Sequence, residues 1–119
     1  MNEDKRLNNV IEALGEHEDS SAVAVLERIG TNCTDDEVRR LTARALVKRN
    51  TTDSLSIVIK QQGKGINDLS TNVAMSTINE LLALENKEEA LKILTETEQT
   101  SEDAIKETAR SVKALMAFS

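Results

Sequence analysis

Apolar residues recur at helical spacing almost from one end of the chain to the other, in blocks separated by short polar stretches rich in capping residues. Seven amphipathic helices are predicted. The first, about residues 3–14, places Leu7, Val10, Ile11 and Leu14 on one face and stops at Gly15, a residue suited to the left-handed turn after a helix. The second, about 21–30, starts behind Asp19 or Ser20, buries Val23, Val25, Leu26 and Ile29, and stops at Gly30. The third, 35–49, opens on Thr34-Asp35-Asp36-Glu37, which has the form of a capping box in which hydroxyl and carboxylate satisfy backbone N–H groups reciprocally. Its inner stripe is Val38, Leu41, Thr42, Ala45 and Leu46.

The fourth helix, about 53–62, follows Thr51-Thr52, buries Leu55, Ile57, Val58 and Ile59, and gives way to the loop Gly63-Lys64-Gly65. The fifth, about 67–85, carries Leu69, Val73, Ala74, Ile78, Leu81, Leu82 and Leu84 around most of its circumference, the pattern of a central, well-covered helix. Asn86, with Glu89 three residues on, opens a sixth over 87–97 that buries Ala90, Leu91, Ile93 and Leu94. The seventh, about 102–117, starts behind Thr100 or Ser101 and buries Ile105, Ala109, Val112, Leu115 and Met116.

These helices repeat. Leu14 with Val23, Val25 and Leu26 recurs as Leu46 with Leu55, Ile57 and Val58, and again as Leu82 with Leu91, Ile93 and Leu94, at offsets of 32 and 36 residues. Thr42-Ala43-Arg44 is echoed by Thr108-Ala109-Arg110. A helix pair of this length cannot bury its own apolar faces, and stacking it on its neighbours makes one continuous core. The expected fold is therefore all-α: a short right-handed α-solenoid of about three antiparallel helix pairs, with the first helix as a partial cap, spanning residues 1–119 as a single domain. The helices at 35–49, 68–84 and 102–117 should line one surface.

The segment Asp35-Asp36-Glu37-Val38-Arg39-Arg40-Leu41-Thr42-Ala43-Arg44-Ala45-Leu46, with its acidic start, Val-Arg pair and closing Ala-Leu, resembles the second helix of a bacterial HEAT-like repeat. The Val-Arg pair is missing between Val73 and Leu84, and Ile105-Lys106 is a loose substitute for it in the last unit. The resemblance implies helical repeats and protein binding. It also implies two rarer roles: accessory, lyase-like or chaperone-like action on bilin-carrying subunits, and DNA binding.

Composition agrees with helix. Phe118 is the sole aromatic and proline is absent, which argues against a sheet protein, while 39% hydrophobic and 30% charged residues suit a folded globular chain rather than a disordered one. No stretch approaches the roughly 18 to 20 apolar residues of a membrane span, and Met1–Arg6 lacks the apolar core of a secretory signal, so no membrane partner and a cytoplasmic location are expected. A lone cysteine, Cys33, makes neither an internal disulfide nor a thiolate metal site by itself. No metal and no cofactor are expected.

Charge is what suggests a function. Between Arg28 and Lys64 eight basic residues face four acidic ones, a net of plus four within a chain of net charge −6. Arg40, Arg44 and Lys48 form a ridge at four-residue spacing, away from the apolar stripe, with Lys60 and Lys64 following. The functional reading is a non-enzymatic adaptor that binds an acidic protein surface through these five residues; the bland one is a solvated helix face. An acidic pI of about 4.8 and the lack of stacking aromatics argue against nucleic acid. Gly63-Lys64-Gly65 lacks the phosphate-loop pattern and reads as a turn.

Cys33, just ahead of the third helix, sits where a helix dipole could activate a thiol, but nothing in the sequence brings the single histidine, His17, beside it as a base. Carboxylates gather at helix starts, where they stabilise the dipole, and form no catalytic dyad. A homodimer, or a self-assembly module, would use Met116 and Phe118 at the C-terminal end.

Overall fold

The computed structural model describes residues 2–17, 19, 21–32, 35–60, 70–100 and 103–118. All seven predicted helices are present: α1 (Asn2–Glu16), α2 (Ser21–Asn32), α3 (Asp36–Arg49), α4 (Thr52–Lys60), α5 (Thr71–Leu82), α6 (Glu88–Thr100) and α7 (Asp103–Ala117). There is no strand among the described residues.

Local chemistry sets most of the boundaries. Asp35, not Thr34, caps α3: its side chain accepts the Glu37 N–H at 2.9 Å, and Glu37 turns its carboxylate to Arg40 instead of completing a box. Thr34 itself lies outside the described residues. A reciprocal cap does form at α4, where Ser54 N–H donates to Thr51 Oγ1 at 3.3 Å and Thr51 N–H donates to Ser54 Oγ at 3.2 Å. Ser70 caps α5 by accepting the Val73 N–H, so the helix starts later than 67, and it closes at Leu82 before Asn86 Oδ1 accepts the Glu88 N–H at 3.0 Å. The predicted partner in that second box, Glu89, instead accepts from Thr52 Oγ1 of α4 at 2.6 Å. Asn50 ends α3 in the left-handed region at φ 52°, which asparagine tolerates.

Two expected stops are not stops. Gly15 and Gly30 both lie inside their helices, which run on to Glu16 and Asn32. Their role is close approach to α3. A Cβ on Gly15 would sit 3.0 Å from Ala45 Cβ and 3.2 Å from Ala45 Cα, and one on Gly30 would sit 3.1 Å from Thr42 Cγ2.

The odd-numbered helices form one layer and the even-numbered helices the other. α1 packs on α3 and α3 on α5, with α7 touching α5 more lightly; α4 packs on α6, and α2 touches α4. α7 rests chiefly against α6. This solenoid-like order gives a body of 42 × 26 × 24 Å. The central helix is α3, which contacts α1, α2, α4 and α5; α5, expected to be central and covered around most of its circumference, buries only the line Val73, Thr77 and Leu81 and leaves Met75 59% exposed.

Ile11, Leu26, Val47, Leu55, Val73, Leu81, Ile93, Leu94 and Val112 are fully buried between the layers. Burial of this kind is worth roughly 1.5–3 kcal/mol for each such side chain and is the main force holding the layers together. Val10, Val25 and Leu115, expected in the core, are exposed. Each precedes a buried neighbour, Ile11, Leu26 or Met116, and consecutive helical residues point about 100° apart. Their helices are those at the two ends of the described stack, and among the described residues no further helix covers the flank of the stripe.

The buried threonines are satisfied locally. Thr42, Thr77 and Thr97 donate their hydroxyls to the carbonyls of Val38, Val73 and Ile93, four residues back, at 2.7–2.8 Å.

Candidate functional site

The ridge exists, but its cations are answered. Arg40 holds Glu37 of its own helix, Nη2 to Oε1 at 2.6 Å and Nε to Oε2 at 3.3 Å. Arg44 reaches Glu80 of α5 at 3.5 Å, and Lys48 reaches Glu16 of α1 at 3.5 Å. The last two basic side chains remain 53% and 60% exposed. Pairs at that distance and exposure contribute about 0–1 kcal/mol each, because water screens them and two long side chains must be ordered. Lys60 ends α4; its side chain and Lys64 lie outside the described residues, as do Gly63, Gly65 and Cys33.

Beside the ridge runs a shallow groove of about 40 Å³ between α1 and α3, lined by Glu12, Gly15, Leu41, Arg44, Ala45 and Lys48. Its floor is shallow because Gly15 lets the two backbones close to contact over Ala45. Arg44 and Lys48 stand on one wall and Glu12 on the other. The surface can therefore offer cations beside a narrow apolar floor, but its three cations are matched by four carboxylates, Glu12, Glu16, Glu37 and Glu80.

By its sequence Arg49 is only one more basic residue. In the structure it is a latch: its guanidinium donates to the carbonyls of Leu14 at 2.9 Å and Asp19 at 3.2 Å, and to that of His17 as well. A cation there meets the negative end of the α1 dipole and adds charged donors to carbonyls around the α1–α2 turn, those of Leu14 and Asp19 also accepting the N–H of His17 and of Ala22. Asn50 makes the matching link on the other side, donating Nδ2–H to the Asn86 carbonyl at 2.9 Å. The turns after α1, α3 and α5 are thereby tied along one edge.

His17 lies on that edge, exposed, its Nδ1 accepting the Asp19 N–H at 3.1 Å. Asp19 in turn accepts the Ser21 N–H at 2.9 Å, and this backbone hydrogen bond, with smaller help from the Ser21 side chain, His17 and Arg49, holds its carboxyl below the usual range. At the far end Glu98 of α6 is clamped between Lys113 and Arg110 of α7, both at 3.3 Å. The hydrogen bond from Lys113, then that from Arg110, lowers its pKa.

The Thr-Ala-Arg echo is structural. Ala43 and Ala109 are both buried, and Arg44 and Arg110 both reach out to a glutamate on a neighbouring helix. Of the two residues proposed for a dimer contact, Phe118 is 92% exposed, whereas Met116 is 3% exposed and belongs to the chain's own core. Met116 is buried because it follows Val112 by four residues on the face that meets α6, so it is not available to a second copy without opening that core.

Among the described residues no three His, Cys, Asp or Glu side chains are arranged to hold a metal ion, and no helix is long and apolar enough to cross a membrane. No protein-family model, curated protein or solved structure matches the chain.

Proposed function

We propose that the chain is a non-enzymatic protein-binding module, a short HEAT-like solenoid that presents the outer face of α1, α3 and α5 to an acidic surface of a partner. The observation that carries the reading is the groove between α1 and α3, rimmed by Arg44 and Lys48, which stay more than half exposed despite their ion pairs. Such weak pairs are exchangeable, so carboxylates of a partner can replace those of the chain at little net cost. Stacked parallel helices suit this use, because they hold several side chains at fixed spacing on rigid elements.

A pull-down with wild type and Arg40→Glu/Arg44→Glu tests it, with circular dichroism to establish that both are helical. Partners bound by wild type and lost by the variant are expected; identical partner sets would remove the ridge as a binding surface.

A second reading, self-association, is favoured by one observation: Phe118 and Leu115 expose 92% and 50% of their surface at the C-terminal end. Light scattering on wild type and Phe118→Asp separates the two. Equal monomer masses at high concentration refute self-association, and a dimer lost on substitution supports it.

A further inference from the structure

The three carboxylates that answer the ridge differ in origin and grip. Glu37 comes from α3 itself and chelates Arg40 with two hydrogen bonds, the shorter 2.6 Å. Glu16 and Glu80 come from the flanking helices α1 and α5, and each touches its cation through one loose contact of 3.5 Å, Glu16 from an exposed position and Glu80 from a half-buried one. Resting on the reading of this face as a docking surface, we propose that Glu16 and Glu80 are internal competitors. They occupy Lys48 and Arg44 in the free chain, and they are displaced by an acidic helix whose carboxylates, four residues apart, take both cations together.

Geometry and charge select that occupant. Arg44 and Lys48 are one step of four apart on α3, about 6 Å along its axis, and carboxylates at the same spacing on a helix laid alongside meet both in register. The floor between them, made by Gly15, Ala45 and Leu41, is narrow and apolar, and it suits the small apolar side chains between the carboxylates of such a helix. Glu12 on the α1 wall repels a carboxylate and directs the incoming helix towards the α5 side.

Competition follows from the charge balance. With Glu16 and Glu80 in place the face is close to neutral, so a single stray carboxylate gains little by binding. A helix that brings two carboxylates in register replaces both internal partners at once, the second contact being effectively intramolecular once the first has formed. The competitors therefore act as a filter for valency and spacing, not merely for negative charge.

The test is fluorescence anisotropy at low ionic strength with a labelled, alanine-rich helical peptide bearing glutamates four residues apart, and a second peptide with the same composition and glutamates two apart. Glu16→Gln/Glu80→Gln is compared with Glu85→Gln/Glu88→Gln, which makes the same change in net charge at the α5–α6 turn, and with Arg44→Gln/Lys48→Gln. Removing both competitors is expected to tighten binding of the first peptide by roughly 2- to 25-fold over the charge-matched control, each exposed pair being worth about 1.4- to 5-fold. Arg44→Gln/Lys48→Gln should abolish it, and the second peptide should bind more weakly throughout. The single variants Glu16→Gln and Glu80→Gln should each give part of the gain, which keeps the test decisive should the double variant fail to fold. If wild type binds through Arg44 and Lys48 but the competitor variants bind no more tightly than the control, the competition is wrong and the docking surface stands. If folded Arg44→Gln/Lys48→Gln binds as wild type does, or no folded variant binds, both readings fall.

Discussion

Replacing Gly15 by alanine sets two effects against each other, and the packing of α1 on α3 decides the sign. In an exposed helix interior the change stabilises by about 1 kcal/mol, because alanine has the best and glycine nearly the worst helix propensity. Gly15 is buried, however, and the added methyl would lie 3.0 Å from Ala45 Cβ and 3.2 Å from Ala45 Cα, inside the 3.5–4.0 Å at which carbon atoms rest. Neither atom belongs to a flexible side chain. The helices must part by some tenths of an ångström, which loosens the contacts that seat Ile11 against the core.

Overpacking of this kind costs about 1–3 kcal/mol, so after the propensity gain the variant should be destabilised by up to about 2 kcal/mol. For a domain of this size that lowers the melting temperature by up to about 10 °C, read by circular dichroism at 222 nm with urea denaturation alongside. Ala45→Gly removes one of the two offending atoms. A double-mutant cycle should accordingly show the pair less destabilised than the sum of the single changes. A Gly15→Ala variant more stable than wild type by about 1 kcal/mol, or a strictly additive cycle, would refute the close approach and restore the glycine to the helix stop that its sequence context suggests.

Three further outcomes are expected. Gly30→Ala meets only Thr42 Cγ2, at 3.1 Å, so its cost should be smaller than that of Gly15→Ala and should disappear in the Thr42→Ser background, measured by the same melts. Arg49→Ala should destabilise by about 1–3 kcal/mol in urea by stripping charged donors from the carbonyls at the end of α1, and Arg49→Lys should recover only part of this, since an ammonium cannot span carbonyls of Leu14, His17 and Asp19; full recovery with lysine would mean that charge alone matters. Glu98, whose carboxyl titrates below its ordinary value of 4.5 in the folded chain, contributes stability that is complete above that value and is lost as the pH falls through the lowered one. Glu98→Gln should therefore flatten the acid limb of the stability profile below about pH 4.5, and an unchanged limb would show that the clamp on α7 contributes nothing.

The helices were legible because their apolar period is strong, while their ends and flanks depended on neighbours. Gly15 reads as a terminator in isolation, since only the approach of Ala45 reveals why a side chain is missing there. Val10, Val25 and Leu115 belong to the apolar stripe by spacing, yet among the described residues no neighbour covers the stripe's flank on these end helices. Thr34-Asp35-Asp36-Glu37 contains two candidate caps, and the carboxylate of Asp35 takes the backbone N–H while Arg40 takes Glu37. Local pattern cannot settle a competition whose outcome is fixed in three dimensions.

The ridge marks where that limit could have been passed. Its spacing is visible in the sequence, while its partners lie far along the chain. Yet Glu16 precedes Lys48 by 32 residues and Glu80 follows Arg44 by 36, the two offsets at which the apolar pattern repeats. The same separations link Arg49 to the His17 carbonyl and Asn50 to that of Asn86, and nearly the same ones link Ser70 to Asp36 and Thr52 to Glu89. Equivalent helices stacked in parallel bring equivalent positions side by side, so the period of the core also addresses the surface. A cation and a carboxylate one period apart are neighbours by construction, whatever the loops between them do. By that rule the acidic residues facing the ridge follow from the repeat itself, and the placement of opposite charges at successive repeats is what makes this face close to neutral in the free chain.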